Sequence, residues 1–200
     1  MFTGIIETTA RVISVSPLGS GKVFWIESPL AGQLKVDQSL SHNGVCLTVE
    51  EIKNGQHRVT AILETLEKTT CGQWTPGTLL NLERCLLAGG RFDGHMVQGH
   101  IDSTGTCLSR EDQNGSWLYR FEFPKNFAHL IIEKGSIAVN GISLTCFDVS
   151  QSAFSVAIIP FTFEHTNLSE VFPGTNINLE FDLMGKYLQR KWSLEQPEKS

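Results

Sequence analysis

The sequence predicts an all-β protein made of two tandem, similar six-stranded antiparallel Greek-key barrels, followed by a C-terminal α-helix. An internal duplication that covers most of the chain predicts the two barrels. Within each copy, about six short strand-like segments recur in roughly 90 residues, a density that favours a small closed barrel over an open sheet. The residues after the second copy show helical spacing of apolar side chains, which predicts the final helix.

The duplication becomes visible when the sequence is compared with itself. At a shift of 97 residues, three segments match in the same order: SLSHNGVCLTV (39–49) with SIAVNGISLTC (136–146), TLEKTT (65–70) with TFEHTN (162–167), and PGTLLNLE (76–83) with PGTNINLE (173–180). The first residues, MFTGIIETT, match MVQGHIDST (96–104) at a shift of 95, which requires a two-residue insertion in the second copy, opposite residues 30–38. We therefore expect domains at 1–92 and 93–183, joined through the glycine-rich LAGGRFDGH, and a helix with a tail at 184–200.

Each copy is expected to consist mostly of strands, because its segments are rich in β-branched and aromatic residues and end at Gly, Pro or Asn. The predicted strands are KVFWIES, VCLTVEEI, HRVTAIL, LLNLERCLL, WLYRFEF, GISLTCFDV, AFSVAIIP and TNINLEFDL. Asn54-Gly55 predicts a hairpin. Short helices are predicted at TLEKTT, at its twin TFEHTN and at KNFAHLII. In the last segment, Tyr187, Leu188 and Trp192 recur at helical spacing, so this helix is expected to cover a barrel end or to pack against another subunit.

The composition excludes several classes of protein. A net charge of -5, with Lys and Arg scattered along the chain, provides no basic face for nucleic acid. Five cysteines without a CxxC pair fit neither a disulfide framework nor a zinc site. The first residues lack the pattern of a signal peptide, and no apolar run approaches the ~20 residues of a membrane helix. We therefore expect a reduced protein of the cytoplasm that binds neither nucleic acid nor a membrane.

The repeated motif Asn-Gly-x-x-Leu-Thr is the first candidate for a functional site. Asn-Gly suits a tight turn, and the strand that follows places Cys46 and Thr48 on one face in the first copy, and Ser143 and Thr145 on one face in the second. The motif either lines a polar pocket at a barrel mouth or serves only as a tight turn into a core strand. The duplication favours the pocket, because the turn is kept while the reactive atom changes from a thiol to a hydroxyl.

A second difference between the copies is His100, which stands where the first copy has Ile5. A titratable imidazole beside a glycine is a candidate catalytic group, and a half-buried structural histidine is the alternative. His95 and His100 would face opposite ways on a regular strand, so no metal site is predicted. A hydrolase built on Ser143 and His100 is disfavoured, because no G-x-S-x-G elbow accompanies them.

Together these motifs resemble those of a known family. MFTGI, GGRFDGHMVQGHID, both NGxxLT copies and the PGTxxNLE pair resemble the riboflavin synthases, enzymes built from two lumazine-binding domains. The resemblance extends from Met1 to about Leu183. It implies the final step of riboflavin biosynthesis, in which two molecules of 6,7-dimethyl-8-ribityllumazine exchange a four-carbon unit to give riboflavin and 5-amino-6-ribitylamino-pyrimidinedione. It also implies a homotrimer whose active sites lie between subunits, with no external cofactor or metal.

The resemblance also implies functional residues, carried over by matching motifs. Cys46, His100, Ser143 and Thr145 are the expected catalytic groups, Phe2 is expected to stack on the ligand or act as a lid, and Lys134 is expected to hold the ribityl chain. The first-barrel site is expected to use Gly4, Ile5, Ile6, Cys46, Leu47, Thr48, Thr60, Ala61, Ile62, Leu63, Glu64 and Thr65. The second-barrel site is expected to use Gly99, His100, Ile101, Lys134, Ser143, Leu144, Thr145, Ala157, Ile158, Ile159, Pro160, Phe161 and Thr162.

The sequence departs from the family pattern at Asn140, where many members carry Asp. An amide cannot act as a base, so this exchange places more of the expected chemistry on His100 and Ser143. The alternative function is a non-catalytic lumazine- or flavin-binding protein of the same fold, which would keep the binding surface and lose the catalytic groups. Both copies of the motif and His100 are present, which favours the enzyme.

Overall fold

The computed structural model describes residues 1–195 and contains two barrels formed by the two halves of the chain. The first barrel consists of β1 (Thr8–Leu18), β2 (Gly21–Glu27), β3 (Ser39–His42), β4 (Val45–Thr48), β5 (Glu51–Lys53), β6 (Gln56–Ala61), α1 (Leu63–Lys68) and β7 (Leu79–Arg84). The second consists of β8 (Ser103–Asp112), β9 (Trp117–Glu122), β10 (Ser136–Val139), β11 (Ile142–Thr145), β12 (Ala153–Ile158), α2 (Pro160–His165) and β13 (Asn176–Phe181). Helix α3 (Leu183–Glu195) follows. The predicted all-β fold with a C-terminal helix is confirmed.

Both sheets are antiparallel and share one topology. Their strand orders are β4-β3-β7-β1-β2-β6-β5 and β11-β10-β13-β8-β9-β12, so the last long strand of each copy inserts beside the first. Side chains that alternate along the strands fill each barrel, among them the fully buried Phe24, Leu40 and Leu80 in the first and Phe121 and Phe154 in the second. Each copy therefore has its own hydrophobic core.

The first sheet has a seventh strand because the segment VCLTVEEI is split. After β4, the N–H of Val49 donates to Gln38 O and the N–H of Glu50 donates to Arg58 O, both at 2.9 Å. The chain thus changes its pairing partner from the β3 side to β6, and this change closes the barrel. In the second copy the same change leaves only an isolated bridge between Phe147 and Ser155.

The short helices lie close to their predicted positions. Helix α1 begins two residues before the predicted TLEKTT and is followed by a 3₁₀ turn at Thr70–Gln73, and α2 is followed by one at Asn167–Glu170. The predicted KNFAHLII helix is a 3₁₀ segment at Lys125–Leu130, longer than its counterpart Ala31–Gln33, where the insertion was expected. The predicted tail beyond α3 lies outside the described residues. Within residues 1–195, no helix is both long and apolar enough to cross a membrane.

The two Asn-Gly turns meet at the junction between the barrels. Asn43 and Asn140 have φ of 48° and 47°, as the predicted tight turns require. Asn81 Nδ2 donates to Asn140 O at 3.0 Å, and Asn178 Nδ2 donates to Asn43 O at 2.9 Å, so each barrel binds the other's turn. The junction is therefore pseudo-symmetric and held by buried amides.

Candidate functional site

The first residues of the chain form a strap that joins the two barrels. Glu83, on β7 of the first barrel, accepts hydrogen bonds from Thr3 N at 2.7 Å, Thr3 Oγ1 at 2.8 Å and Gly4 N at 3.0 Å. The carbonyl of Gly4 accepts from Ser143 N of the second barrel at 2.8 Å. The N-terminal strap is thus anchored on the first barrel and lies against β11 of the second.

A second strap repeats this arrangement with the barrels exchanged. Glu180, on β13 of the second barrel, accepts from Gln98 N at 2.7 Å, Gly99 N at 2.9 Å and His100 N at 3.1 Å. The carbonyl of Gly99 accepts from Cys46 N of the first barrel at 2.9 Å. Burial raises the pKa of Glu180, as it does for Glu83, while the backbone N–H donors favour the charged form of both.

Both straps require glycine at the point of contact. Gly4 and Gly99 have φ of +79° and +83°, a conformation that side chains rarely adopt. A Cβ on Gly4 would lie 2.6 Å from the Cβ of Ser143, and one on Gly99 would lie 2.5 Å from the Cβ of Cys46. The two glycines therefore let the strap backbone touch the two residues that the duplication made different.

The straps correct the grouping that the sequence predicted. The prediction placed Gly4–Ile6 with Cys46 and placed Gly99–Ile101 with Ser143, but the structure exchanges the two straps. The reason is an antiparallel bridge in which Phe2 N donates to Val97 O at 2.7 Å and Val97 N donates to Phe2 O at 3.1 Å. The paired straps run past each other, so each ends on the opposite barrel, and His100 lies on the strap that contacts Cys46.

Phe2 does not have the predicted role of a stacking or lid residue. Its side chain is 0% exposed and packs with Val97 and Ala138 in a small cluster between the barrels. A ring that is fully enclosed by protein cannot stack on a ligand in this conformation. Phe2 supports the crossed straps from behind.

The first-barrel surface comprises Cys46, Thr48, the segment 60–65 and the strap residues Gly99–Ile101. Cys46 is half-buried, and burial raises the pKa of its thiol, so the neutral thiol is favoured. Thr48 and His100 are exposed, and so are the apolar side chains of Ile62 and Leu63 in the loop into α1. Leu47 and Ala61 point into the barrel core instead.

The second-barrel surface comprises Ser143, Leu144, Thr145, the segment 157–162 and the strap residues Gly4–Ile6. Ile5, Ile159 and Phe161 are exposed apolar side chains on it, and Ile158 lies in the core. Lys134 contacts Cys146 and Phe147, with its N–H donating to Cys146 O at 2.9 Å and its ammonium 5.4 Å from the Phe147 ring centre. The structure therefore gives Lys134 an exposed position before β10.

Asn140 belongs to the junction. Its side chain is buried, and its Oδ1 accepts from Asn178 N at 2.8 Å, as Oδ1 of Asn43 accepts from Asn81 N at 2.7 Å. Its Nδ2 donates to Asn167 Oδ1 at 3.4 Å. The amide thus holds the turn and the contact between the barrels, which is a structural role for this side chain.

The sequence prediction missed the partner of Ser143, which is His95. His95 Nδ1 lies 2.7 Å from Ser143 Oγ, within hydrogen-bonding distance. Burial lowers the pKa of His95, and the charge of Asp182 acts in the opposite direction. From the sequence, His95 is considered only as a metal ligand, and no metal site is predicted there; within residues 1–195, no group of three His, Cys, Asp or Glu side chains could hold a metal ion. Of the glycines in GGRFDGH, Gly94 is the one that lies close to Thr3 and Ser143, and a glycine directly before His95 is the signal that the sequence offers.

Comparison with known proteins places this arrangement in a family. The lumazine binding domain model matches the chain twice, at residues 3–85 and 98–182. Over 191 residues, the chain is 39% identical to a riboflavin synthase of Actinobacillus pleuropneumoniae and 35% identical to one of Bacillus subtilis (strain 168), in each case covering 95% of this chain and 89% of the relative. The chain belongs to the riboflavin synthase family.

The structural comparison agrees with this family at the level of the fold. LumP in complex with riboflavin superimposes with a TM-score of 0.85 at 20% identity, covering 90% of this chain and 99% of LumP. LumP in complex with 6,7-dimethyl-8-(1'-D-ribityl) lumazine gives a TM-score of 0.83. The two-barrel fold is thus shared between the riboflavin synthase family and LumP.

Proposed function

We propose that this chain is a riboflavin synthase, a transferase that catalyses the final step of riboflavin biosynthesis. Two molecules of 6,7-dimethyl-8-ribityllumazine would exchange a four-carbon unit, giving riboflavin and 5-amino-6-ribitylamino-pyrimidinedione. The observation that carries the proposal is the pair of surfaces built on one plan, each with a glycine strap against a Thr-bearing strand, but with Cys46 in one and the Ser143–His95 pair in the other. Two surfaces of the same architecture can bind two molecules of the same substrate. Their different reactive side chains allow one molecule to donate the four-carbon unit and the other to accept it.

The chemistry of the substrate explains why the chain needs no external cofactor. The 7-methyl protons of a lumazine are acidic because the carbanion spreads into the electron-poor ring, so the substrate is its own electron sink. The protein has to hold two flat rings in register, which supplies a proximity contribution, and to assist proton transfer or addition of a nucleophile. Cys46, His100, Ser143 and Thr145 are the proposed groups for these steps.

Each surface supplies only one wall of a binding site. Ile62 and Leu63 on one surface, and Ile159 and Phe161 on the other, are 46 to 66% exposed. Exposed apolar side chains around a polar site are typical of a surface that another body covers. We place the first-barrel surface of one subunit against the second-barrel surface of its neighbour, so that the stacked lumazines complete both.

Helix α3 supports an assembly of this kind. Its apolar side chains Met184, Tyr187, Leu188 and Trp192 are 62 to 70% exposed in the single chain. Packing of these side chains between subunits would bury them, and a homotrimer closed by three such helices is the proposed state. All five cysteines are free, which agrees with the proposed cytoplasmic location.

The test is turnover of a single substrate. The purified protein is incubated with 6,7-dimethyl-8-ribityllumazine alone, and riboflavin is followed by its absorbance and fluorescence. We expect one riboflavin for every two lumazines consumed. Tight binding of the lumazine without formation of riboflavin would refute the proposed enzymatic activity. It would support the alternative function, a lumazine- or flavin-binding protein, for which LumP in complex with riboflavin is an example with the same fold.

A further inference from the structure

His95 and Ser143 form a pair that lies at the edge of the second-barrel surface. The two side chains approach to 2.7 Å, between Nδ1 and Oγ. Ser143 itself is held by the backbone, since its N–H donates to Gly4 O at 2.8 Å. The backbone N–H of Ser143 is thus already paired, and its side-chain hydroxyl is the group that forms the hydrogen bond with His95.

The backbone around His95 is also fixed. His95 N donates to Thr3 O at 3.0 Å, so the residue is tied to the N-terminal strap beside Ser143. A Cβ at Gly94 would collide with the carbonyl oxygen of Thr3 and come within 2.9 Å of the Cβ of Ser143. The fold therefore fixes the approach of His95 to Ser143, because the backbone of His95 is bonded to Thr3 and only a glycine fits at position 94.

The environment of His95 keeps its imidazole neutral and able to accept a proton. Burial lowers the pKa of His95 below its ordinary value of 6.5, so the ring is unprotonated at neutral pH. Its Nε2 is buried and has no hydrogen-bond partner within residues 1–195. A neutral imidazole whose Nδ1 accepts the Ser143 proton carries a hydrogen on Nε2, and a ring of this kind can take up one proton at Nδ1.

We infer that His95 acts as the proton acceptor for Ser143 in removal of a 7-methyl proton from the lumazine on the second-barrel surface, an inference that rests on the proposed function. The methyl C–H bond breaks, its electron pair enters the lumazine ring, and its proton bonds to Ser143 Oγ. The original Oγ proton moves to His95 Nδ1. The step creates a lumazine anion and an imidazolium, so charge and atoms balance without any further reactant, and the carboxylate of Asp182 favours the cation.

The first barrel offers no such acceptor to Cys46. No imidazole forms a hydrogen bond with the Cys46 thiol in residues 1–195, and burial raises the pKa of that thiol. Among residues 1–195, Ser143 is thus the one of the two exchanged groups whose reactive atom is paired with an imidazole, which makes the second-barrel surface the candidate position of the lumazine that loses its methyl proton.

The test measures exchange of the 7-methyl protons for deuterium by NMR, separately from riboflavin formation. His95→Gln is expected to lower the protein-catalysed exchange rate by about 10²-fold, a typical contribution of a general base, with little change in lumazine affinity. In His95→Asn, Oδ1 can accept the Ser143 hydrogen bond but cannot take up a proton, so exchange should stay slow. His129→Gln, the same change at an exposed histidine of the same barrel, should exchange at the wild-type rate.

A double variant decides whether His95 works through Ser143. If it does, His95→Gln in a Ser143→Ala background should slow exchange no further. Wild-type exchange in His95→Asn would overturn the inference, and so would an undiminished further loss in the double variant. Absence of riboflavin formation by the wild-type protein would refute the proposed function instead, and that outcome is distinguishable because exchange needs only one bound lumazine.

Discussion

The two barrels share a topology, and two of the differences between them, one at the surface and one in the core, change groups that carry or respond to protons. At the surface, Cys46 in the first barrel corresponds to Ser143 in the second, and only Ser143 pairs with an imidazole. In the core, His42 and His57 of the first barrel occupy the positions of Val139 and Phe154 in the second. The duplication thus kept the scaffold and the glycine contacts, and changed the groups that carry or respond to protons.

The core difference is a buried histidine pair. His42 Nε2 lies 2.8 Å from His57 Nε2, and both side chains are 0% exposed. His42 Nδ1 lies 3.0 Å from Leu40 O, which makes it the donor to that carbonyl and leaves Nε2 to accept from His57. The bond between the two Nε2 atoms needs one of them to be an unprotonated acceptor, so it cannot form when both rings are charged. Val139 and Phe154 do not titrate.

The largest effect is expected from removal of the residues after Leu183. Without α3 the proposed contacts between subunits are lost, so the oligomer should dissociate and riboflavin formation should fall below detection, although both barrels keep their own cores. Sedimentation, circular dichroism and turnover measure these three properties. A truncated protein that sediments as an active monomer would break the account of a site shared between subunits.

The second prediction compares the reactive groups. Ser143→Ala should lower turnover by about 10²-fold because it removes the relay to His95, while Cys46→Ser, which copies the second barrel, should lower it by less than about tenfold since the thiol is held neutral. His100→Gln should slow turnover more than it weakens lumazine binding. Steady-state kinetics and binding titrations check each variant, and equal losses in Ser143→Ala and Cys46→Ser would contradict the asymmetry.

The third prediction concerns acid. Burial, and for His42 also the charge of His57, lowers the pKa of His42 well below its ordinary value, and burial lowers that of His57 to about 4. The unfolded chain takes up these protons below about 6.5 and the folded chain does not, so stability is complete above pH 6.5 and falls as the pH drops towards 4. For His57 alone the loss is on the order of 3 kcal/mol.

The matched variant for that prediction copies the other barrel. His42→Val with His57→Phe should make the free energy of unfolding of the first barrel nearly independent of pH between 6.5 and 4. Denaturant unfolding followed by tryptophan fluorescence measures it when both proteins also carry Trp117→Phe and Trp192→Phe, so that the signal comes from Trp25 and Trp74 of the first barrel. An unchanged loss of stability in acid would show that other groups control it.

The smallest effect is expected at the start of α1. Helix α2 begins with Pro160, whereas α1 has Leu63 at the equivalent position. Ile62 already has an extended conformation, with φ of -76° and ψ of 167°, so it tolerates a following proline. Leu63→Pro should therefore stabilise the first barrel by about 0.5 kcal/mol, because proline lowers the conformational entropy of the unfolded chain. Thermal unfolding measures this, and a lower melting temperature than that of the wild type would contradict it.

The sequence predicts the fold well because the fold depends on local patterns. The predicted strands, the Asn-Gly turns and the repeated segments each lie within a few residues, and the structure follows them. The strands β1, β3, β8 and β10 are not among the predicted strands. The crossing of the straps could not be predicted in this way, since Gly4 and Gly99 carry the same motif and only the tertiary pairing of Phe2 with Val97 decides which barrel each contacts.

The candidate site was predicted in part for the same reason. The strand positions of Cys46, Thr48, Ser143 and Thr145 follow from period-two alternation. The contact between His95 and Ser143 joins residues 48 apart in sequence, and the burial of Phe2 depends on both barrels at once. Neither feature can be predicted from the spacing of nearby residues in the sequence.

Subunit complementation tests the central claim most directly, namely that the two different surfaces meet across subunits. Thr48→Trp and Thr145→Trp each block one surface at an exposed, equivalent position, so each variant alone should be inactive. Co-expression should restore turnover, because an intact first-barrel surface of one subunit then faces an intact second-barrel surface of another. A mixed assembly of the two variants that stays inactive would contradict the account.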